Sequence, residues 1–252
     1  MRRSFIILAV LCASIILILC FLSTQTGVLT IDAMIPRFIH AWAVQQVQGF
    51  ASHDNREWEN VWYGVPILQY PNDLMVYENL ITKAKPDMII ETGTWCGGLT
   101  LYLATLVDRF DMPGQVVTID IDPTQWEKIG RRVTINKRIT DRITFIQGNS
   151  TAPDIFSLVS GIAKDHKCIL VILDSDHRAP HVLSELNLYS TLVTPGSYII
   201  VNDTASNTWE GSPGPYAAVN EFLRNHEAFM LDPFPQRYSL SSMHSGILKR
   251  LK

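Results

Sequence analysis

Residues 85–98 read KPDMIIETGTWCGG, a short apolar run followed by a carboxylate and three glycines. Residues 88–90 are typical of a buried strand, and the apolar periodicity after Gly98 is typical of a helix. The glycines between them predict a tight turn whose backbone can approach a ligand closely. The stretch favours an α/β fold with a nucleotide-type ligand, and taken alone it is equally compatible with a turn that only packs.

One position in this turn limits the choice of ligand. The dinucleotide fingerprint requires glycine at position 95, where a pyrophosphate nearly touches the backbone, and this chain has Trp95 there. The bulky indole favours a ligand without pyrophosphate. A nicotinamide-dependent oxidoreductase is therefore disfavoured.

The remainder of the chain alternates between strand and helix patterns. Strands are predicted at 116–120, 143–146, 168–173 and 197–201, and helices at 74–83, 100–109, 123–137, 153–163 and 180–192. This alternation predicts a parallel sheet with helices on both faces. With 252 residues, 47% of them hydrophobic, the chain can bury one large core and is short for two.

Polar side chains follow every predicted strand. They are Glu91, Asp120, Asn149 with Ser150, Asp174, and Asn202 with Asp203. A single acidic strand end is commonly only a helix N-cap. Because ligands of an open parallel sheet bind outside the carboxyl ends of its strands, five such ends predict one functional rim.

The chemistry of these side chains separates their expected roles. Asp120 is placed to accept hydrogen bonds from the two hydroxyls of a ribose. Asp174, Asn202 and Asp203 offer oxygen ligands of the kind that Mg²⁺ prefers. His177, three residues after Asp174, can face the same cavity and take a proton near neutral pH. The rim therefore predicts a nucleoside-bearing ligand beside a metal.

A family resemblance rests on seven segments: ETGTWCGG, VVTIDID, QGNS, LDSDH, PGSYIIVND, GPYAAVNEFL and GILKR. Together they resemble S-adenosylmethionine-dependent methyltransferases of the cephalosporin hydroxylase and rhamnosyl O-methyltransferase family. The resemblance covers about residues 62–252, and WYGVPILQYPNDL at 62–74 resembles the opening segment of that family. It implies a Rossmann-like class I methyltransferase fold with a mostly parallel seven-stranded sheet. It also implies a Mg²⁺-assisted O-methyltransferase that acts on a hydroxyl of a sugar, glycolipid or small metabolite.

The resemblance also implies which residues hold S-adenosylmethionine. It points to Glu91, Gly93, Gly97, Asp120 and Ser150, and we expect Thr94 and Asn149 in the same loops to contribute.

By the same resemblance, Mg²⁺ would be bound by Asp174, Asn202 and Asp203, and His177 would be the catalytic base. One departure is that the family often has Glu-Asp where this chain has Asn202-Asp203. An amide still supplies an oxygen, but one negative charge fewer predicts weaker metal binding.

Two other functions are compatible with the same chain. A hydroxylase-type oxidoreductase would need iron or an electron-carrying cofactor, and the sequence has neither a two-histidine-one-carboxylate spacing nor a flavin fingerprint. A catalytically inactive, membrane-anchored nucleoside-binding protein would keep the fold but lack the polar residues at the strand ends.

Residues 204–216 form either a cover for the acceptor or a passive surface loop.

The N-terminus predicts a membrane segment. Residues 5–22 carry no charge and as a helix would span about 27 Å, close to the roughly 30 Å of a bilayer core. A retained single-pass anchor is favoured over a cleaved signal sequence. We therefore expect an anchor at 1–22, a juxtamembrane helix and connector at 23–60, and a methyltransferase domain at 61–252.

Two features of the chain favour opposite sides of the membrane for the domain. Arg2 and Arg3 favour a domain outside the cytosol, whereas S-adenosylmethionine is a cytosolic metabolite. A net charge of -3 and a pI near 6.1 make nucleic acid a poor candidate for a partner. The expected partners are a small-molecule or glycan hydroxyl acceptor, the membrane, and a second copy of the chain in a homo-oligomer.

Overall fold

A computed structural model describes residues 60–130, 136–205, 208–233 and 241–252. The anchor expected at 1–22, and all but the last residue of the connector expected at 23–60, lie outside the described residues. The predicted domain boundaries stay predictions.

The strands, in chain order, are β1 (Asn60–Trp62), β2 (Val65–Ile67), β3 (Met88–Thr92), β4 (Gln115–Asp120), β5 (Ile143–Gln147), β6 (Ile169–Leu173), β7 (Tyr198–Val201), β8 (Thr208–Trp209), β9 (Ser212–Pro213), β10 (Phe229–Leu231) and β11 (Ile247–Arg250). The helices are α1 (Pro71–Ala84), α2 (Gly98–Arg109), α3 (Thr124–Gly130), α4 (Lys137–Thr140), α5 (Pro153–Ala163), α6 (Ala179–Tyr189) and α7 (Pro215–Asn225).

The predicted mostly parallel seven-stranded sheet is confirmed. Its strand order is β10-β11-β7-β6-β3-β4-β5. Strands β5, β4, β3, β6 and β7 are parallel, and β11 and β10 continue the sheet in antiparallel pairing. The carboxyl ends of the five parallel strands therefore meet at one edge, where the candidate site residues lie.

Both faces of the sheet are covered. On β3, Ile89 packs in one core cluster with Tyr77 and Leu103, while Ile90 packs in a second cluster with Leu186. All five residues of β3 and of β6 are buried. This double burial explains why these strands are nearly continuous apolar runs instead of alternating with polar residues.

Residues 62–67 form part of the β1–β2 hairpin, in which Tyr63 and Gly64 have φ of 52° and 77°. Two successive positive φ values suit a tight hairpin turn. The helix expected at 123–137 is observed as α3, and Lys137 instead begins α4 after Asn136, whose side chain accepts a hydrogen bond from the Arg138 N–H.

Gly93 is required by contact between two strand ends. It has a φ of +87°, and an added Cβ would lie 2.0 Å from the carbonyl oxygen of Asp174.

We expect Gly93→Ala to lower the free energy of unfolding by about 3 kcal/mol, measured by urea denaturation. Gly196→Ala is the matched control, because its φ is +85° but no atom lies within 4 Å of the added Cβ. Equal losses in the two variants would show that strain alone, without the contact, explains the glycine.

The predicted membrane localisation is corrected. Across residues 60–130, 136–205, 208–233 and 241–252, no helix has the length and apolar character needed to cross a bilayer. The segment at 5–22 on which the prediction rested lies outside these residues.

Candidate active site

The glycine turn is tied to the end of β4 by Asp120. The backbone N–H groups of Thr94 and Trp95 donate to Asp120 Oδ2 at 2.9 and 2.7 Å, and the N–H of Asp122 donates to Oδ1 at 2.9 Å. Gly97 then precedes α2 in a left-handed conformation with a φ of 83°. The Asp120 carboxylate therefore orders the loop, and its Oδ1, which accepts one hydrogen bond, keeps a free lone pair for a ligand.

Glu91 lies beneath this loop and is only 1% exposed. Its Oε2 accepts hydrogen bonds from the hydroxyls of Thr100 (2.5 Å) and Thr118 (2.7 Å), whereas its buried Oε1 has no hydrogen-bond partner. Burial raises the pKa of Glu91 to about 7, against the lowering effect of the two threonine hydroxyls. A buried carboxylate oxygen with spare accepting capacity fits a cationic group arriving from above.

A cavity of about 540 Å³ opens over the carboxyl ends of the strands. It is lined by the predicted cofactor residues Gly93, Asp120, Asn149 and Ser150, together with Trp95. Its size lies within the range of small-molecule sites, which is roughly 300–1,000 Å³. The structure therefore brings together loops that follow β3, β4 and β5, and it places Glu91 below the cavity instead of in its lining.

Asp174, His177 and Asp203 form a compact cluster beside this cavity. Their potential ligand atoms all lie within 4.8 Å of one another. His177 Nε2 is 3.0 Å from Asp203 Oδ2 and 4.0 Å from Asp174 Oδ1. Burial and the charge of Asp203 raise the pKa of Asp174 well above its usual range. A shared cation would lower the repulsion between two carboxylates held this close in a partly buried site.

His177 responds to the same two carboxylates. Burial alone would lower the pKa of His177, but the hydrogen bond and charge of Asp203, with the charge of Asp174, raise it above the usual value. The two carboxylates therefore favour the protonated form of the His177 imidazole.

Asn202 is placed differently from its two predicted co-ligands. It is 1% exposed, and its Oδ1 accepts a hydrogen bond from the buried Tyr77 hydroxyl at 2.7 Å. A carbonyl oxygen has two lone pairs, so the same atom can still face a cation. Its role as a metal ligand stays a prediction.

Sequence reasoning missed two contacts of the cluster. Gln69 Nε2 donates to Asp174 Oδ2 at 2.9 Å, and the Trp209 ring stands edge-on to the His177 ring with centroids 4.3 Å apart. Gln69 lies within the segment that resembles the family's opening, which was its one sequence signal. Trp209 lies on β8, inside the loop that was predicted either to cover the acceptor or to be passive.

A second missed group lies at the other side of the cavity. His181 and Glu185 are four residues apart on α6, which places these two side chains on one helix face, whereas His177 precedes the helix. That regular spacing was a signal available in the sequence.

The sequence profile of one family, described as "Rhamnosyl O-methyltransferase/CmcI", matches residues 55–251. The chain belongs to the rhamnosyl O-methyltransferase/CmcI family. The predicted family is thereby confirmed, and so is the prediction of an S-adenosylmethionine-dependent O-methyltransferase.

Relatives within this family include two mycobacterial proteins named rhamnosyl O-methyltransferase. The chain is 30% identical to that of Mycobacterium leprae over 168 residues, which cover 65% of this chain and 70% of the relative. It is 29% identical to that of Mycobacterium bovis over 192 residues, which cover 74% of this chain and 72% of the relative.

Solved structures of similar fold include a CmcI structure whose description names Mg and SAM. It has a TM-score of 0.60 and 19% identity, and the match covers 81% of this chain and 84% of that one. An O-methyltransferase from Bacillus cereus in complex with SAH has a TM-score of 0.52 and 16% identity, covering 91% of this chain and 95% of that one. These likenesses support the predicted α/β Rossmann-like methyltransferase fold with its mostly parallel seven-stranded sheet.

Proposed function

We propose that this chain transfers a methyl group from S-adenosylmethionine to a hydroxyl of a sugar, glycolipid or small metabolite, with assistance from Mg²⁺. The observation that carries the proposal is the position of Asp174. This carboxylate lines the cofactor-sized cavity and also belongs to the cluster with His177 and Asp203. One residue thus joins the place where a methyl donor fits to the place where a metal and an acceptor oxygen fit.

The donor set suits a hard cation. Asp174, Asn202 and Asp203 would hold Mg²⁺ through oxygen atoms, and the cluster lacks the thiolates that would favour a softer metal. When bound, such a cation acts as a Lewis acid that lowers the pKa of the acceptor hydroxyl. The relative whose description names Mg and SAM supports this assignment.

His177 is the proposed general base. Its Nε2 is 3.0 Å from Asp203 and donates to that carboxylate, so the imidazolium that forms when His177 takes up a proton is stabilised by Asp203. A cation held by the same carboxylates would oppose the rise in the pKa of His177 and keep the imidazole free to accept. Gln69, which donates to Asp174, would hold that carboxylate in position.

The cofactor residues would fix the methyl donor. We assign this role to Glu91, Gly93, Thr94, Gly97, Asp120, Asn149 and Ser150. Alignment of oxygen, methyl carbon and sulfur is the main contribution expected from them, since methyl transfer needs little else from a protein.

A sugar hydroxyl is the acceptor we favour first. Two relatives are named rhamnosyl O-methyltransferase. Trp209, whose ring touches His177, offers an aromatic surface beside the base, and an apolar face of a sugar ring can pack on such a surface.

Trp209→Ala is expected to lower kcat/KM for the acceptor about tenfold, because the packing surface beside His177 is lost. Affinity for S-adenosylhomocysteine should change less than about twofold. Acceptor saturation curves measured at fixed S-adenosylmethionine check the first expectation, and calorimetry checks the second. An unchanged kcat/KM in the variant would show that the loop at 204–216 is a passive surface loop and not a cover for the acceptor.

The proposed function is tested by incubating the protein with methyl-labelled S-adenosylmethionine, Mg²⁺ and either a simple alkyl rhamnoside or a cell extract. Label recovered as a base-stable methyl ether in the saccharide or lipid fraction supports it. Label in protein carboxylates or nucleic acid, with none in an ether, would overturn it.

Methyl transfer is favoured over the two alternative functions. Membership of an O-methyltransferase family favours methyl transfer over a hydroxylase and over an inactive nucleoside-binding protein. Neither the predicted membrane contact nor the homo-oligomer has support from the described residues.

A further inference from the structure

Four side chains form a partly buried polar cluster where the loops after β5 and β6 meet α6. Ser150 Oγ and Ser175 Oγ both lie close to one oxygen of Glu185, Oε1, at 2.5 and 2.7 Å. His181 Nε2 lies 3.3 Å from Ser150 Oγ, 3.2 Å from Ser175 Oγ and 3.4 Å from Glu185 Oε1. Ser150, Ser175 and His181 line the cofactor cavity, while Glu185 is fully buried behind them.

The cluster fixes the direction of both serine protons. A carboxylate can only accept hydrogen bonds, so each hydroxyl must point its proton at Glu185 and away from the cavity. The hydrogen bond and the charge of Glu185 raise the pKa of His181 above its usual value, against the lowering effect of burial. What the two serines can offer to a ligand is therefore lone pairs alone.

We propose that Glu185 and His181 act as positioning residues that make the cofactor site select an aminopurine over an oxopurine. This inference rests on the proposed function, because it takes the cavity as the site of S-adenosylmethionine. The exocyclic amino group of adenine donates hydrogen bonds and so complements lone pairs from Ser150 and Ser175. The carbonyl oxygen of hypoxanthine at the same position only accepts hydrogen bonds. Its lone pairs would face the lone pairs of the serine oxygens, and no hydrogen bond would form.

The surroundings suit a purine at this place. Ile121, which follows Asp120 at the end of β4, lines the same cavity with its side chain 70% exposed, an apolar surface for the face of a base. The backbone of Ser150 is anchored from behind, since the buried Tyr189 hydroxyl donates to its carbonyl oxygen at 2.8 Å. The serine hydroxyls therefore have fixed positions as well as fixed directions.

The test compares S-adenosylhomocysteine with S-inosylhomocysteine, in which an oxo group replaces the 6-amino group and N1 carries a proton. Calorimetry on the full chain is expected to give at least about tenfold tighter binding of the adenosyl compound. In Glu185→Gln, the side-chain amide can donate to a serine oxygen and free a hydroxyl proton to point into the cavity. The preference should then shrink to less than about threefold.

Two further variants keep the test decisive. Glu221→Gln removes a carboxylate from the exposed face of α7 and should keep the wild-type preference. Ser175→Ala removes one acceptor without burying a new polar group, so it should also narrow the preference if Glu185→Gln does not fold. Equal binding of both compounds by the wild type, or an unchanged preference in Ser175→Ala and a folded Glu185→Gln, would overturn the inference and leave the proposed function standing. Failure of the wild type to bind either compound would overturn both.

Discussion

Asp174→Asn is expected to lower methyl-transfer turnover by about a thousandfold, with less than about a threefold change in affinity for S-adenosylhomocysteine. The substitution removes one negative charge from a cluster whose potential ligand atoms lie within 4.8 Å, while it keeps the shape of the cavity wall. Affinity for the metal should fall with the charge of the ligand set. Label transfer and calorimetry measure the two quantities separately.

The matched control for Asp174 is Asp154→Asn, which removes a carboxylate from the exposed first turn of α5. It should retain wild-type turnover. Should Asp174→Asn lose cofactor binding and turnover together, the carboxylate belongs to the cofactor site, and its assignment to a metal is wrong.

Glu91→Gln is expected to weaken binding of S-adenosylmethionine by about tenfold to a hundredfold. Glutamine keeps the shape and an oxygen for the hydroxyls of Thr100 and Thr118, but it removes the charge that would face the ammonium group of the cofactor. The loss should therefore appear in affinity more than in stability. Glu227→Gln, on an exposed residue, is the control and should bind as the wild type does.

The pH dependence of Glu91 gives a second readout. Burial raises its pKa from 4.5 to about 7, so the folded chain keeps a proton that the unfolded chain has lost. The contribution of Glu91 to stability is therefore full at low pH and is lost as the pH rises through about 7. A bound ammonium favours the carboxylate and releases that proton, so wild-type affinity should rise between about pH 6 and about pH 8. The rise should be absent in Glu91→Gln, and an equal rise in both proteins would place the titrating group elsewhere.

The edge of the sheet on which the site lies could be predicted from the sequence. Ligands of a parallel sheet bind outside the carboxyl ends of its strands, and these ends depend only on chain direction. Asp120 ends a parallel strand, and Ser150 and Asp174 each follow one, so their positions in the chain were enough to bring them together. The same reasoning could not give side-chain direction. Glu91 was expected at the end of a strand over 88–90, but β3 continues to Thr92, which buries Glu91 beneath the loop.

Contacts between loops that are distant in the chain could not be predicted from the sequence, for a different reason. Gln69 and Asp174 are separated by 105 residues, and nothing local to either one records that Gln69 lies beside the residue after β6. Trp209 likewise meets His177 through a contact between the β8–β9 hairpin and the loop after β6. Such pairs depend on loop paths, which carry no hydrophobic period.

Metal dependence of methyl transfer tests the central claim most directly. The wild-type chain would be incubated with methyl-labelled S-adenosylmethionine and an acceptor-containing extract, in excess EDTA and again after Mg²⁺ is restored. The cluster of Asp174, His177 and Asp203 predicts that label transfer stops in EDTA and returns with Mg²⁺, while calorimetry shows that the cofactor still binds in EDTA. Label transfer at the same rate in EDTA would contradict a metal-assisted reaction at this site.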